Sequence, residues 1–151
     1  LIGECTSQLP NNIFPIILKV AGGELSKLNI FGSDWDTIDG TGVRDYIHVM
    51  DLVDGHLLAL EYLLNHQGEF INLNFGTGFG TSVLELINFF QKINKVKIPY
   101  IFTNKREGDI ARSVADKSLA TSLLNWKPTR DIQDMCRDGW KWYCLNPKGY
   151  Q

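Results

Sequence analysis

The sequence predicts an α/β fold, because helical and strand patterns alternate along it. Segments with apolar residues at helical spacing are separated by short β-rich runs, and the connections are brief and carry Gly, Asn and Asp. Interleaving of this kind excludes a helix bundle or a β-sandwich and leaves layered α/β or α+β architectures.

Taken in order, Pro10-Asn11-Asn12 opens the first helix. Asn12 suits the N-cap, and Pro15 falls in the first turn, where its missing N–H costs nothing. The helix runs through Ile16, Ile17, Leu18 and Val20 and stops at Gly22-Gly23. Lys27 to Phe31 reads as a strand, Ser33 to Gly42 as a polar loop, and Tyr46 to Met50 as a second strand. Asp51 is expected to cap a helix reaching about Asn65. Its apolar residues, Leu52, Val53, Leu57, Leu58, Leu60, Leu63 and Leu64, cover more than one face, so cover on two sides is expected. Phe70 to Phe75 reads as a strand leading into Gly76-Thr77-Gly78-Phe79-Gly80. Ser82 and Glu85 then form a capping box for a helix to about Asn94. Ile98 to Thr103 is a further strand and Ser118 to Leu124 a short helix. The last helix starts at Thr129 or Asp131, with Ile132, Met135, Cys136, Trp140 and Tyr143 on one face.

Composition narrows the function classes. With 44% apolar and 21% charged residues, 151 residues make one ordinary domain, 1–151, with a real core. A net charge of −2 supplies no bulk basic field, which argues against nucleic acid and anionic membranes as partners; an anion site needs a few placed cations. The apolar runs fall short of a membrane span and no signal peptide opens the chain. Of three cysteines, Cys136 and Cys144 share a predicted helix about 12 Å apart along its axis, and Cys5 has no evident mate. Reduced thiols and a cytoplasmic location are expected. Leu1-Ile2-Gly3-Glu4 carries no initiator methionine, so the chain is expected to be part of a longer protein.

Several motifs invite chemistry. The glycines at 76, 78 and 80 lie between a strand and a helix, but the dinucleotide fingerprint needs its third glycine one residue later and an acid at the end of the next strand. That strand ends in Thr103-Asn104-Lys105-Arg106, so a tight turn is the better reading. His48, Asp51, Asp54 and His56 cluster in sequence, yet the aspartates suit a helix start and no ligand spacing for a metal is present. Gly40 to Asp51 is the most distinctive run. Its Arg44 is either an anion clamp or a surface arginine paired with Asp45. Arg106 lies in a second loop, 105–109. With the helix N-terminus at Asn12, the two arginines would make three anion-directed groups for one diphosphate.

Pro10-Asn11-Asn12 with Pro15, Leu28 to Gly32, Asp39 to Val49, Arg106-Glu107-Gly108-Asp109, Leu124-Asn125-Trp126 and Asn146 to Tyr150 together resemble the carboxy-terminal part of the UDP-glucose (UDP-galactose) 4-epimerase family, extended short-chain dehydrogenase/reductases. The resemblance spans nearly the whole chain in one register. It implies an α+β substrate-binding domain, with one strand and its helices packing on an amino-terminal NAD-binding Rossmann domain outside this chain. It implies that Asn12 contacts the UDP phosphates, Asn29 and Phe31 line the uracil pocket, Arg44 and Arg106 clamp the diphosphate, and Asp109 accepts from the ribose. Ser113 takes the position that bounds the sugar C2 substituent; a small residue there implies acceptance of UDP-N-acetylhexosamines beside UDP-glucose and UDP-galactose. The family's catalytic Tyr-x-x-x-Lys has no counterpart, since none of Tyr46, Tyr62, Tyr100, Tyr143 and Tyr150 has a lysine four residues on. No catalytic, cofactor-binding or metal residue is therefore assigned, and UDP-sugar binding is the activity expected of the chain. The family is expected to be homodimeric, and this chain to self-associate through the apolar 51–65 helix. A dehydratase or decarboxylase of the same superfamily, or a non-catalytic interaction module, are the alternatives.

Overall fold

The computed structural model describes residues 10–149; the readings at Leu1–Glu4, Cys5 and Tyr150 lie outside these residues. Helix α1 (Ile13–Ala21) leads into β1 (Leu28–Phe31), and β2 (Val43–Arg44) precedes helix α2 (Val49–Asn65). Then come β3 (Thr81–Ser82), α3 (Val83–Asn94), β4 (Tyr100–Thr103), β5 (Arg112–Ser113), α4 (Ser118–Leu124) and α5 (Ile132–Leu145). The strands form two small sheets. β1 pairs in parallel with β4, Leu28 opposite Tyr100 and Phe31 opposite Thr103. β2 lies between β3, antiparallel, and β5, parallel, so that Arg44 stands opposite Thr81 on one side and Ser113 on the other.

The core follows from the amphipathic faces. Ile17 of α1, Leu28 and Ile30 of β1, Leu86, Ile87 and Phe90 of α3, and Cys136 of α5 are buried together, with Ile98 sealing the edge. Phe90 is the hub, meeting Phe14 and Trp140 edge-on at 6.3 and 5.9 Å. Such pairs contribute about 0.5–1.5 kcal/mol beyond their buried area. Both α3 and α5 begin with capping boxes, Ser82 with Glu85 and Asp131 with Asp134. Each satisfies two free amides at a helix start.

Three expectations are corrected. Tyr46 to Met50 is not a strand: the ladder stops at Arg44 and the helix has already begun at Val49. His48 takes the N-cap, its Nδ1 accepting from the Met50 amide at 3.1 Å. With Nδ1 accepting, Nε2 carries the proton and faces Asp138 at 3.3 Å. Asp51 therefore is not a cap but lies inside the first turn, 1% exposed, where it bonds a distant segment. It accepts from the Thr129 hydroxyl and amide and from the Arg130 amide and guanidinium, at 2.6 to 3.1 Å. Finally, Phe70 to Phe75 alternates in exposure from Ile71 onward, as a strand would, but it joins no ladder among the described residues. An extended segment becomes a strand only beside another strand edge.

Phe75 closes onto α2, its ring against Gly55 and edge-on to Trp126 at 4.9 Å. The remainder of α2 stays open: Val53, Leu57, Leu60 and Leu64 are 43 to 68% exposed, and Phe70 is 88% exposed. No helix among the described residues is long and apolar enough to cross a membrane.

Burial pushes the Asp51 carboxyl up, but its hydrogen bonds from Arg130 and Thr129 outweigh that and hold it below the usual carboxylate value. The linked stabilisation is thus complete above about pH 4 and lost as pH falls through the lower folded value. Asp51→Ala is expected to cost about 3 kcal/mol, because it strands the groups that converge on it. Denaturant titrations of the variant at pH 7 and pH 3 should show that deficit shrinking at the lower pH; an equal deficit at both would contradict the assignment.

Candidate functional site: an arginine-lined cavity

Arg44 is held in place by what surrounds it in sequence. Upstream, Asp39 turns the loop back on itself, accepting from the Thr41 amide and hydroxyl at 2.9 and 2.7 Å and from the Ser82 hydroxyl. Downstream, Asp45 accepts from the Thr77 hydroxyl and amide at 2.6 and 2.9 Å, from the Gly78 amide at 2.9 Å and from the Ala115 amide at 3.3 Å. The glycine-rich turn is thus an anion nest filled by the protein's own carboxylate. Gly76 is required there, since a Cβ would lie 2.5 Å from both Asp45 Oδ2 and Ala115 Cβ. Asp45 is therefore not the partner of Arg44. One guanidinium nitrogen of Arg44 instead donates to the Val43 and Ile110 carbonyls at 2.8 and 2.9 Å.

Arg44 faces a cavity of about 330 Å³ formed by the start of α1, strand β1, the 32–46 segment and the 106–109 loop. Asn12, Asn29, Phe31, Arg44, Arg106 and Asp109 all line it, so these residues from distant parts of the chain meet in one place. Asn12 stands at the N-cap of α1 with extended backbone, and its side chain makes no bond to its own helix. The amides of that first turn, with the positive end of the helix dipole, add to the arginine charge. Arg106 stacks over Phe31 at 4.5 Å and pairs with Asp109 at 3.0 Å; Arg44 approaches the same carboxylate at 3.9 Å. Ser113 is not in the lining. It is exposed on β5, opposite Arg44 in the parallel register.

Two further lining residues escaped the sequence reading. Tyr46 lies two positions from Arg44, a spacing that keeps side chains on one side of extended backbone, and that was the available signal. Burial pushes its phenol up to about 12 against the pull of Arg44, so it is un-ionised at neutral pH. Trp35 carried no signal. It reaches the cavity because Gly32, at φ +84°, turns the chain so that the indole Nε1 donates to the Phe31 carbonyl at 3.0 Å. Lys105 caps the same ring at 4.4 Å while pairing with Asp34 at 2.9 Å.

Elsewhere the tempting clusters are otherwise engaged. His48 and Asp51 serve as above, His56 Nδ1 bonds the Leu52 carbonyl at 2.7 Å, and no metal-holding group occurs among the described residues.

A cavity of this size, with two arginines, a helix start and aromatic walls, suits an anionic ligand bearing a flat ring. The family model described as GDP-mannose 4,6-dehydratase matches residues 4–139. The chain belongs to this family. UDP-glucose 4-epimerases are similar throughout: that of Pasteurella multocida (strain Pm70) is 50% identical over 153 residues, covering 100% of this chain, and that of Bacillus subtilis (strain 168) is 47% identical over 150 residues, covering 99%. The chain spans about 44% of the length of each of these relatives. It corresponds to the carboxy-terminal part of an extended short-chain dehydrogenase/reductase. Among solved structures, the UDP-glucose-4-epimerase of Stenotrophomonas maltophila, with bound NAD and formylated UDP-arabinopyranose, superposes with TM-score 0.93 at 48% identity, over 97% of this chain and 44% of that one. The Bifidobacterium longum enzyme, in complex with NAD+ and UDP, gives 0.88 at 42%, over 98% and 44%. The mixed α/β fold expected from the sequence is thus the fold of this family.

Asp45→Ala removes the acceptor that gathers three amides. Hydrogen exchange at Thr77, Gly78 and Ala115 should accelerate by about tenfold or more. Unchanged protection would show that the nest closes without the carboxylate.

Proposed function

We propose that this chain holds the nucleotide sugar for an NAD-dependent UDP-glucose/UDP-galactose 4-epimerase. The observation that carries the reading is the convergence of Arg44 and Arg106 on one point beside Phe31 and the first turn of α1. A diphosphate placed there meets two guanidinium groups and the free amides of a helix start, while the base packs against Phe31 and takes backbone groups of β1 near Asn29. Base–aromatic contact contributes about 1–3 kcal/mol. Asn12 then meets the phosphates and Asp109 accepts from the ribose hydroxyls. Relatives named UDP-glucose 4-epimerase, and solved structures holding NAD with UDP or a UDP-sugar, support the same ligand class. The family model's dehydratase description keeps a sister nucleotide-sugar enzyme as the second reading.

The residues described here do not fit NAD. Their glycine-rich turn closes on Asp45, and no tyrosine has a lysine four residues on. In this proposal NAD and the proton-transfer groups belong to the amino-terminal part of the whole enzyme, a cytoplasmic homodimer. The open side of α2 and the 70–75 segment are the surfaces that pack on it; without it they favour self-association. Ser113 leaves room at the sugar C2 position, so the whole enzyme also takes UDP-N-acetylhexosamines.

Millimolar UDP should raise the melting temperature of the chain, and Arg44→Ala or Arg106→Ala should each weaken binding about tenfold or more, since a hydrogen bond to a charged group contributes about 1.5–3 kcal/mol. No shift with UDP, and none lost in either variant, would favour an interaction module. In the whole enzyme, Ser113→Tyr should abolish turnover of UDP-N-acetylglucosamine and spare UDP-glucose; equal loss of both would remove Ser113 from the sugar pocket.

A further inference from the structure

Arg106 lies in the loop past Thr103, the end of β4, where the last bond to β1's chain runs from the Gly32 amide to the Thr103 carbonyl at 2.9 Å. Between there and Ile110, apart from the cavity groups Arg106 and Asp109 themselves, Lys105 alone ties the loop to other described residues. Its Nζ pairs with Asp34 Oδ1 at 2.9 Å, donates to the Asp34 carbonyl at 3.3 Å and stands over the Trp35 ring at 4.4 Å. The Trp35 indole Nε1 in turn donates to the Phe31 carbonyl at 3.0 Å, and Arg106 stacks on the ring of that same Phe31 at 4.5 Å. Trp35 thus touches both supports of the stack: the backbone of the residue beneath the guanidinium, and the side chain of the residue just before Arg106. Gly32 makes room for the two to meet, since a Cβ there would overlap Trp35 Nε1 and lie 2.8 Å from Lys105 Cγ.

We propose that Trp35 and Lys105 are positioning residues, a latch that holds the Arg106 guanidinium over Phe31 where it meets the ligand. The proposal rests on the diphosphate reading above. A loop without ladder bonds leaves its arginine many conformations, and a ligand that must order them loses affinity. Anchoring the neighbouring residue removes part of that cost in advance. Arg106 is 48% exposed, so little packing beyond Phe31 holds it. Arg44 needs no such latch, because the Val43 and Ile110 carbonyls already pin it. The latch therefore matters to one arginine and not to the other. A lysine that only added charge to the cavity would serve both arginines alike, and this one has its charge matched by Asp34.

Calorimetric titration of the 151-residue chain with UDP tests this through double-mutant cycles, with a melting curve for each variant to establish folding. Lys105→Ala should weaken UDP binding about fivefold in the parent and in Arg44→Ala, but less than about twofold in Arg106→Ala. Lys105→Arg, which keeps a cation for both Asp34 and the Trp35 ring, should bind UDP as the parent does. Trp35→Ala should follow the pattern of Lys105→Ala; if it does not fold, the lysine cycle decides. A Lys105→Ala loss that persists in full without Arg106, or no loss in the parent, overturns the proposal. The diphosphate site still stands in that case if Arg44→Ala weakens UDP binding. A parent chain that does not bind UDP overturns the site reading and this proposal with it.

Discussion

The site depends on three carboxylates in one short stretch of chain. Asp39, Asp45 and Asp51 each collect donors from a remote segment: Asp39 from Ser82, Asp45 from Thr77, Gly78 and Ala115, and Asp51 from Thr129 and Arg130. Arg44 sits in the middle of that stretch. Most of the donors are backbone amides, which have a fixed direction and incur a penalty if left unpaired. A two-residue strand has little hold of its own, so β2 is positioned by these bonds at its flanks more than by its ladder. The Asp39 carboxyl, raised by burial and lowered further by Ser82 and Thr41, ends below its usual value, as expected of a charge that is well solvated by the protein.

Much of this was legible in the sequence where the determining interaction is local. The capping box at Ser82, the start of the last helix at Thr129 or Asp131, the glycine stop after α1 and the apolar face of α5 are all set within a few residues. The errors fall where a distant partner decides. Tyr46 to Met50 has a strand's composition, but β2 ends where β3 and β5 end, and His48 captures the helix start from Asp51. Asp51 has the residue type of a cap; only the location of Thr129 and Arg130 reveals that it is a buried staple.

The site residues divide in the same way. Asn12, Asn29, Phe31, Arg44, Arg106 and Asp109 could be named from motif resemblance, and they share one cavity. Trp35 could not, because its place follows from the reversal at Gly32 and from Lys105 across the loop. Ser113 is opposite Arg44 in register but exposed on β5 and outside the cavity lining, a placement that motif resemblance alone did not reveal.

If the stretch between Asp39 and Asp51 exists to present Arg44 to the ligand, a crystal structure of the chain with UDP is the most direct test. The account predicts both guanidinium groups on the diphosphate, the uracil against Phe31, and Asp109 turned from Arg106 to the ribose. UDP bound away from this cavity, or held there with Arg44 still tied only to the Val43 and Ile110 carbonyls, would contradict it.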